Sequence, residues 1–230
     1  MLAHILPVKL MVFDSCLWVG IDVPVLVRLF MALWCAIRTF AKHATELGNQ
    51  QPAEPVFFVK PNNCLQRTGP IQVSTHPGSV HHEVECVIRL GNNLQREALA
   101  VGLDLTDRDT QSQLRSEQLP WTKGKCFRGS AVVGGFSTFD GELSDLIAGD
   151  YVINLSVNGI LKQTSNLSSM SIGPQQQMDS LLEWAPVVAG DYLFTGTPAG
   201  VAQLLVGDEL IATLETTDGK IISQIETICQ

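Results

Sequence analysis

Two glutamates sit in a run that otherwise favours burial. In "SVHHEVECVIRLG", residues 79 to 91, Glu83 and Glu85 lie two positions apart. Successive side chains of a strand point to opposite faces. A strand over 83 to 90 therefore puts Val84, Cys86, Ile88 and Leu90 on one face and both glutamates on the other. Asp104 sits between Leu103 and Leu105 in "ALAVGLDL", residues 98 to 105. A carboxylate in an apolar strand is costly to bury unless it is paired or bound to a metal. If Glu83, Glu85 and Asp104 converge, they need a cation. An all-oxygen set suits Mg²⁺, Mn²⁺ or Ca²⁺, not zinc. The alternative is a solvated polar strand face. His81 falls on the glutamate face and His82 on the packing face, whereas His76 and His4 give no signal.

Other groups could complete a site. His43 and Glu46, in "FAKHATELG", lie three apart and share a helix face. Such a pair can activate water as a general base, or it can be an ordinary exposed helix pair. "PWTKGKCF", 120 to 127, offers Lys123 and Lys125, either to balance the acidic cluster, to hold an anionic substrate or to be solvated. Arg108 and Gln111 lie three apart on a polar stretch. "TGTP", 195 to 198, could present amides and hydroxyls to a ligand, or be a plain turn.

These residues need elements to position them. Residues 40 to 48 read as a short helix ended by Gly48, and 55 to 60, 83 to 90 and 98 to 105 as strands. Residues 107 to 118 read as a polar helix. Asn158-Gly159 between two alternating runs over 151 to 164 signals a type I′ hairpin. Residues 174 to 184 read as a helix with Pro174 in its first turn, and a second hairpin is expected around Asp218-Gly219. Many strands and few short helices predict a mainly β, α+β domain.

The 230 residues, 45% hydrophobic and 17% charged, can build a core, so the chain is globular. A net charge of −8 argues against nucleic-acid binding. Cysteines 16, 35, 64, 86, 126 and 229 form no Cys-x-x-Cys pair, and no signal-peptide pattern precedes them. Free thiols in the cytoplasm are the expectation. Residues 15 to 37 are strongly apolar, but Asp22, Pro24 and Arg28 interrupt them, which favours a buried segment over a membrane span.

"EPVFFVKP", "GSVHHEVE", "LDLTDRDTQ", "PWTKGKCF", "LSVNG" and "TGTPAGV" occur in the order found in the fumarylacetoacetate hydrolase family, which residues 38 to 230 resemble. The likeness is to its small single-domain members: acylpyruvases, oxaloacetate decarboxylases or tautomerases, and hydroxymuconate isomerases of aromatic degradation. The resemblance implies a β-sandwich roll that pairs into a homodimer. It implies Mg²⁺ or Mn²⁺ on Glu83, Glu85 and Asp104. It implies a His43–Glu46 pair on a lid helix, with Lys125 and Gln111 as further catalytic residues. Arg38, Lys60, Arg108 and Thr197 match positions near the substrate carboxylate or metal. The implied reaction is hydrolysis of a C–C bond in an acylpyruvate-like 2-oxo acid through a metal-stabilised enolate. The alternatives are an isomerase or decarboxylase acting on oxaloacetate or a hydroxymuconate-type diacid, and a degenerate member without turnover. A second basic pocket would favour a diacid.

The chain departs from the family pattern in three places. The family's G-R-N-Y reads Ile37-Arg38-Thr39-Phe40 here, and Ile37 is expected to crowd a tight backbone approach. Residues 1 to 34 do not look like the family's first strands. The stretch between Gly91 and Asp104 is about ten residues shorter than the family pattern, consistent with a trimmed loop. Asp107 adds a charge beside the site.

Overall fold

The computed structural model describes residues 9–13, 16–20, 31–41 and 52–230. His4, and the helix expected over 40 to 48 beyond Ala41 with His43 and Glu46, lie outside the described residues. So does most of the apolar run before Met31.

Among the described residues the strands begin with β1 (Lys9–Phe13), β2 (Cys16–Gly20), β3 (Ala32–Ile37), β4 (Val56–Pro61) and β5 (Leu65–Gln66). Then follow β6 (Val80–His81), β7 (Val84–Leu90), β8 (Arg96–Asp104) and β9 (Thr106–Asp107). The chain continues as helices α1 (Arg108–Ser116) and α2 (Thr122–Lys125), then β10 (Ala131–Val133), β11 (Ser137–Thr138), β12 (Tyr151–Val157) and β13 (Ile160–Asn166). Helix α3 (Pro174–Trp184), β14 (Tyr192–Phe194), β15 (Glu209–Thr216) and β16 (Ile221–Ile228) complete it.

The larger sheet has the order β4-β3-β14-β7-β8-β10-β5, with β11 on the edge of β8, and curls. The smaller has the order β13-β12-β15-β16. Alternation explains how they pack. Cys86, Ile88, Val101 and Leu103 face Ile153, Leu155, Ala212 and Leu214 of the smaller sheet, forming one buried cluster. Val87, Ala100 and Val133 face Leu33, Cys35 and Phe194 in a second cluster inside the curl. Strands β7 and β8 are thus covered on both faces, which is why both read as near-continuous apolar runs. Residues 32–37 of the apolar run form β3, paired in parallel with β14.

Local chemistry sets the ends of elements. Asn158 and Gly159 both have positive φ, 52° and 73°, as a type I′ turn requires. At the second hairpin only Gly219 does, at 89°. Pro174 opens α3 at its first turn. Asp107 caps α1, its carboxylate accepting from the Thr110 N–H at 2.9 Å and the Thr110 hydroxyl at 2.8 Å. The charge expected beside the site is therefore occupied in capping. No described helix is long and apolar enough to cross a membrane.

Candidate metal and substrate site

Pairing of β7 with β8 brings the carboxylates together. Val84 stands opposite Leu103 and Glu85 opposite Gly102. One step further, the Asp104 N–H donates to the Glu83 carbonyl at 2.9 Å. Glu83 precedes β7 but keeps its alternation, so Glu83, Glu85 and Asp104 share one side of the strand pair. An oxygen from each lies within 4.8 Å of the others. Their exposures are 6%, 2% and 2%, so the solvated-face alternative is overturned. That side lies inside the curl and beneath α1 and α2.

Cations surround the cluster. Lys125 Nζ, 3% exposed as a residue, bridges Glu83 Oε2 at 2.8 Å and Asp104 Oδ2 at 2.6 Å, and donates to the Thr106 hydroxyl at 2.7 Å. Burial works against its charge, but Asp104 and Glu83 outweigh burial and hold its pKa above the ordinary lysine value. Arg108 from α1 binds Glu83 Oε1 and donates to Gln111 Oε1 at 2.7 Å. Glu85 is different. Burial, then the Asp104 and Glu83 charges, push its carboxyl well above the ordinary value, although the Gly196 N–H donates to it at 2.6 Å.

Lys60 is completely buried, and its Nζ lies 2.6 Å from Asp104 Oδ1. It also donates to the carbonyls of Ser130 at 2.6 Å and Leu105 at 3.1 Å. The structure therefore sets it under Asp104, away from the cavity walls.

The Thr195–Pro198 turn is a support, not a bare loop. Its Gly196 amide orients Glu85, and the Thr195 hydroxyl donates to the Cys86 carbonyl at 2.9 Å. A Cβ on Gly196 would lie 2.0 Å from Thr39 Oγ1, so glycine is needed there. Gln163, 1% exposed, ties this turn to the strand. Its Nε2 donates to Thr197 Oγ1 and the Pro198 carbonyl, both at 2.9 Å, and its Oε1 accepts from the Val84 N–H at 3.1 Å. With that oxygen fixed as an acceptor, the His82 Nδ1 at 2.8 Å is a donor. His82 thus packs as expected. His81 is not among the clustered ligands, while His76, without signal in the sequence, pairs with Asp107 at 2.7 Å.

A cavity opens over the carboxylates. Arg38, Arg108, Gln111, Lys125 and Thr197 line it, together with Arg115 and Trp121, which sequence reasoning missed. The missed signal was spacing: Arg108, Gln111 and Arg115 follow the three- and four-residue steps of one helix face. Four cationic side chains thus meet three carboxylates. Arg38 has a positive φ of 56°, an uncommon conformation that aims it from the end of β3. Burial and then the Arg115 charge lower its pKa, so the two guanidinium groups feel each other across the cavity. Ile37, expected to crowd the backbone, instead stays in strand register with Val56 and walls the cavity.

Three buried, hard carboxylate oxygens in one closed cluster fit a divalent cation such as Mg²⁺ or Mn²⁺. Zinc would call for nitrogen or sulfur ligands.

Residues 32–226 match the family model described as fumarylacetoacetate (FAA) hydrolase C-terminal. An oxaloacetate tautomerase of Escherichia coli is 35% identical over 195 residues, covering 79% of this chain and 87% of its own length. A mitochondrial oxaloacetate decarboxylase of Dictyostelium discoideum is 34% identical over 182 residues, covering 74% and 82%. A solved structure from Oleispira antarctica, a candidate fumarylacetoacetate isomerase/hydrolase, superposes with a TM-score of 0.81 at 30% identity, covering 87% and 94%.

Proposed function

The chain belongs to the fumarylacetoacetate hydrolase family of enzymes, and on that premise we propose that it interconverts the enol and keto forms of a short 2-oxo diacid of the oxaloacetate class. The observation that carries this reading is that Arg38 and Arg115 both line the cavity that contains the carboxylate cluster. One carboxylate of a diacid can be held at the cluster and the other between these guanidinium groups. The relatives named for oxaloacetate, one a tautomerase and one a decarboxylase, support the substrate class.

Glu83, Glu85 and Asp104 would hold Mg²⁺ or Mn²⁺. When bound, that ion supplies Lewis-acid polarisation of a keto oxygen. Lys125 remains protonated at neutral pH and so acts as a fixed positive charge, favouring negative charge as it develops on the substrate oxygen. Arg108 is held by Glu83 and Gln111, which aims it at the substrate's first carboxylate. Trp121 and Ile37 form apolar walls that limit water near the reacting carbon. His43 with Glu46 is the proposed proton carrier. The hydrolytic reading on an acylpyruvate depends on the same pair activating water. The diacid reading depends in addition on Arg115.

The test is the decay of enol absorbance of oxaloacetate with Mg²⁺ or EDTA, with pyruvate release followed in parallel. Acceleration of enol loss without matching pyruvate establishes tautomerisation. Matching pyruvate release would assign decarboxylation instead. Cleavage of acetylpyruvate, with oxaloacetate decaying at its uncatalysed rate, would overturn the diacid reading.

A further inference from the structure

Gln163 lies on β13, the edge strand of the smaller sheet, and is the one buried residue of that strand; its neighbours Lys162 and Thr164 are exposed. A buried amide is tolerable when its donors and acceptors are all met. Here they are. Its nitrogen gives one hydrogen to Thr197 Oγ1 and the other to the Pro198 carbonyl, and its oxygen accepts from the Val84 N–H and from His82 Nδ1.

Two of these partners have fixed polarity. The Val84 N–H can only donate, and the Pro198 carbonyl can only accept. The amide therefore has one orientation, with nitrogen toward the Thr195–Pro198 turn, and Thr197 Oγ1 must accept from it. The turn is also seated directly on β13. A Cβ on Gly200, just beyond the turn, would lie 2.2 Å from the Lys162 carbonyl oxygen.

A threonine hydroxyl has one hydrogen to give. Gln163 fills a lone pair of Thr197, so that hydrogen must go elsewhere. Thr197 lines the substrate cavity and is 5% exposed. The cationic side chains around it can only donate. Gln111 Oε1 already accepts from Arg108. Glu83 faces Arg108 and Lys125 with its two oxygens, Asp104 faces Lys60 and Lys125, and Glu85 Oε2 accepts from the Gly196 N–H. An anionic ligand brings the acceptor that this hydrogen suits.

We propose that Gln163 is a positioning residue, which fixes the Thr197 hydroxyl as a hydrogen-bond donor to the carboxylate of a bound 2-oxo acid. The choice of a 2-oxo acid rests on the proposed function; the polarity of the hydroxyl does not. Because the hydroxyl is set before the ligand arrives, its bond forms without the cost of reorienting it.

The experiment is a double-mutant cycle in the full chain, with pyruvate as the probe at saturating Mn²⁺ and binding read by titration calorimetry. Gln163→Glu keeps the shape and the acceptor oxygen but removes the N–H donors, so Thr197 turns its hydrogen toward the new carboxylate. Pyruvate affinity should fall about tenfold, and Mn²⁺ affinity should not fall. In Thr197→Val, which already lacks the hydroxyl, adding Gln163→Glu should cost less than about twofold more.

Unchanged pyruvate affinity in Gln163→Glu would overturn the proposal. So would an equal loss with and without the Thr197 hydroxyl, which would show that Gln163 acts through the fold or through charge alone. A matching fall in Mn²⁺ affinity would also overturn it, by placing the effect on the strand of the carboxylates. Should Gln163→Glu misfold, Gln163→Met lacks the same donors and enters the same cycle. The cycle reads no turnover, so it decides the matter even where oxaloacetate decays at its uncatalysed rate. A parent chain that binds Mn²⁺ but not pyruvate would overturn the assigned ligand.

Discussion

Lys60 and Asp104 form an ion pair of 2.6 Å in which neither residue is more than 2% exposed. The lysine reaches up from β4 beneath the strand that carries the aspartate. It also satisfies two backbone carbonyls, of Ser130 and Leu105, so its charge is fully engaged by the fold. Breaking the pair leaves Asp104 Oδ1 buried without its cation, with only Lys125 remaining on the other oxygen. Lys60→Met should therefore destabilise the protein by about 3–5 kcal/mol. Urea unfolding measures this. A loss under about 1 kcal/mol would mean that Lys125, already bound to Asp104, is enough to balance its charge.

Glu85→Gln separates metal binding from folding. Burial and two neighbouring carboxylates raise the Glu85 pKa, so ionised Glu85 is an unfavourable tenant of the metal-free fold. Neutral glutamine removes that repulsion and retains an acceptor for the Gly196 amide. Unfolding of the metal-free variant should occur at or above the parent's temperature. Mn²⁺ affinity should drop about 100-fold or more, since losing even an outer partner of a ligand costs 10–100-fold. Thermal unfolding checks the first half and titration calorimetry the second. Affinity within threefold of the parent would remove Glu85 from the ligand set.

The carboxylate cluster was legible because strand alternation is a local rule, and Glu83, Glu85 and Asp104 obey it. Both Asn158-Gly159 and the Pro174 helix start follow from backbone chemistry held within a few residues. Burial of the glutamate face was not legible. Its cover comes from β3 and β14, whose pairing joins Leu33 to Tyr192 across most of the chain. The resemblance places Lys60 near the substrate carboxylate or the metal, and it sits against Asp104; its depth is set by strand order, which sequence does not carry. Arg115 was visible only in hindsight as a third step on the Arg108–Gln111 face. His43 and Glu46 lie outside the described residues.

Asp107 should give the fold a distinct acid sensitivity. Burial opposes its charge, but the Thr110 amide and hydroxyl and the His76 contact outweigh burial and lower its pKa below the usual 3.8. A depressed carboxylate contributes stability that is present above its unfolded pKa and lost as pH falls through the folded value. Removing an N-cap costs about 0.5–2 kcal/mol. Asp107→Ala should show that deficit in full at pH 7 and progressively less of it below about pH 4. Chemical denaturation across that range is the measurement. A deficit that stays constant down to pH 2.5 would show that the cap acts through shape alone.

Arg115 is where the diacid reading is most exposed. It lines the cavity with Arg38, whose pKa is lowered by burial first and by the Arg115 charge second; a carboxylate entering the cavity would offset the second of these. A hydrogen bond to a charged group contributes about 1.5–3 kcal/mol. Arg115→Met keeps much of the apolar stem and removes the charge. It should raise KM for oxaloacetate about 10- to 100-fold. Affinity for pyruvate, which lacks the second carboxylate, should change little. Equal weakening toward both acids would place Arg115 at the first carboxylate or in the fold. No change toward either would leave the distal carboxylate to Arg38 alone, and the two-guanidinium clamp would be wrong.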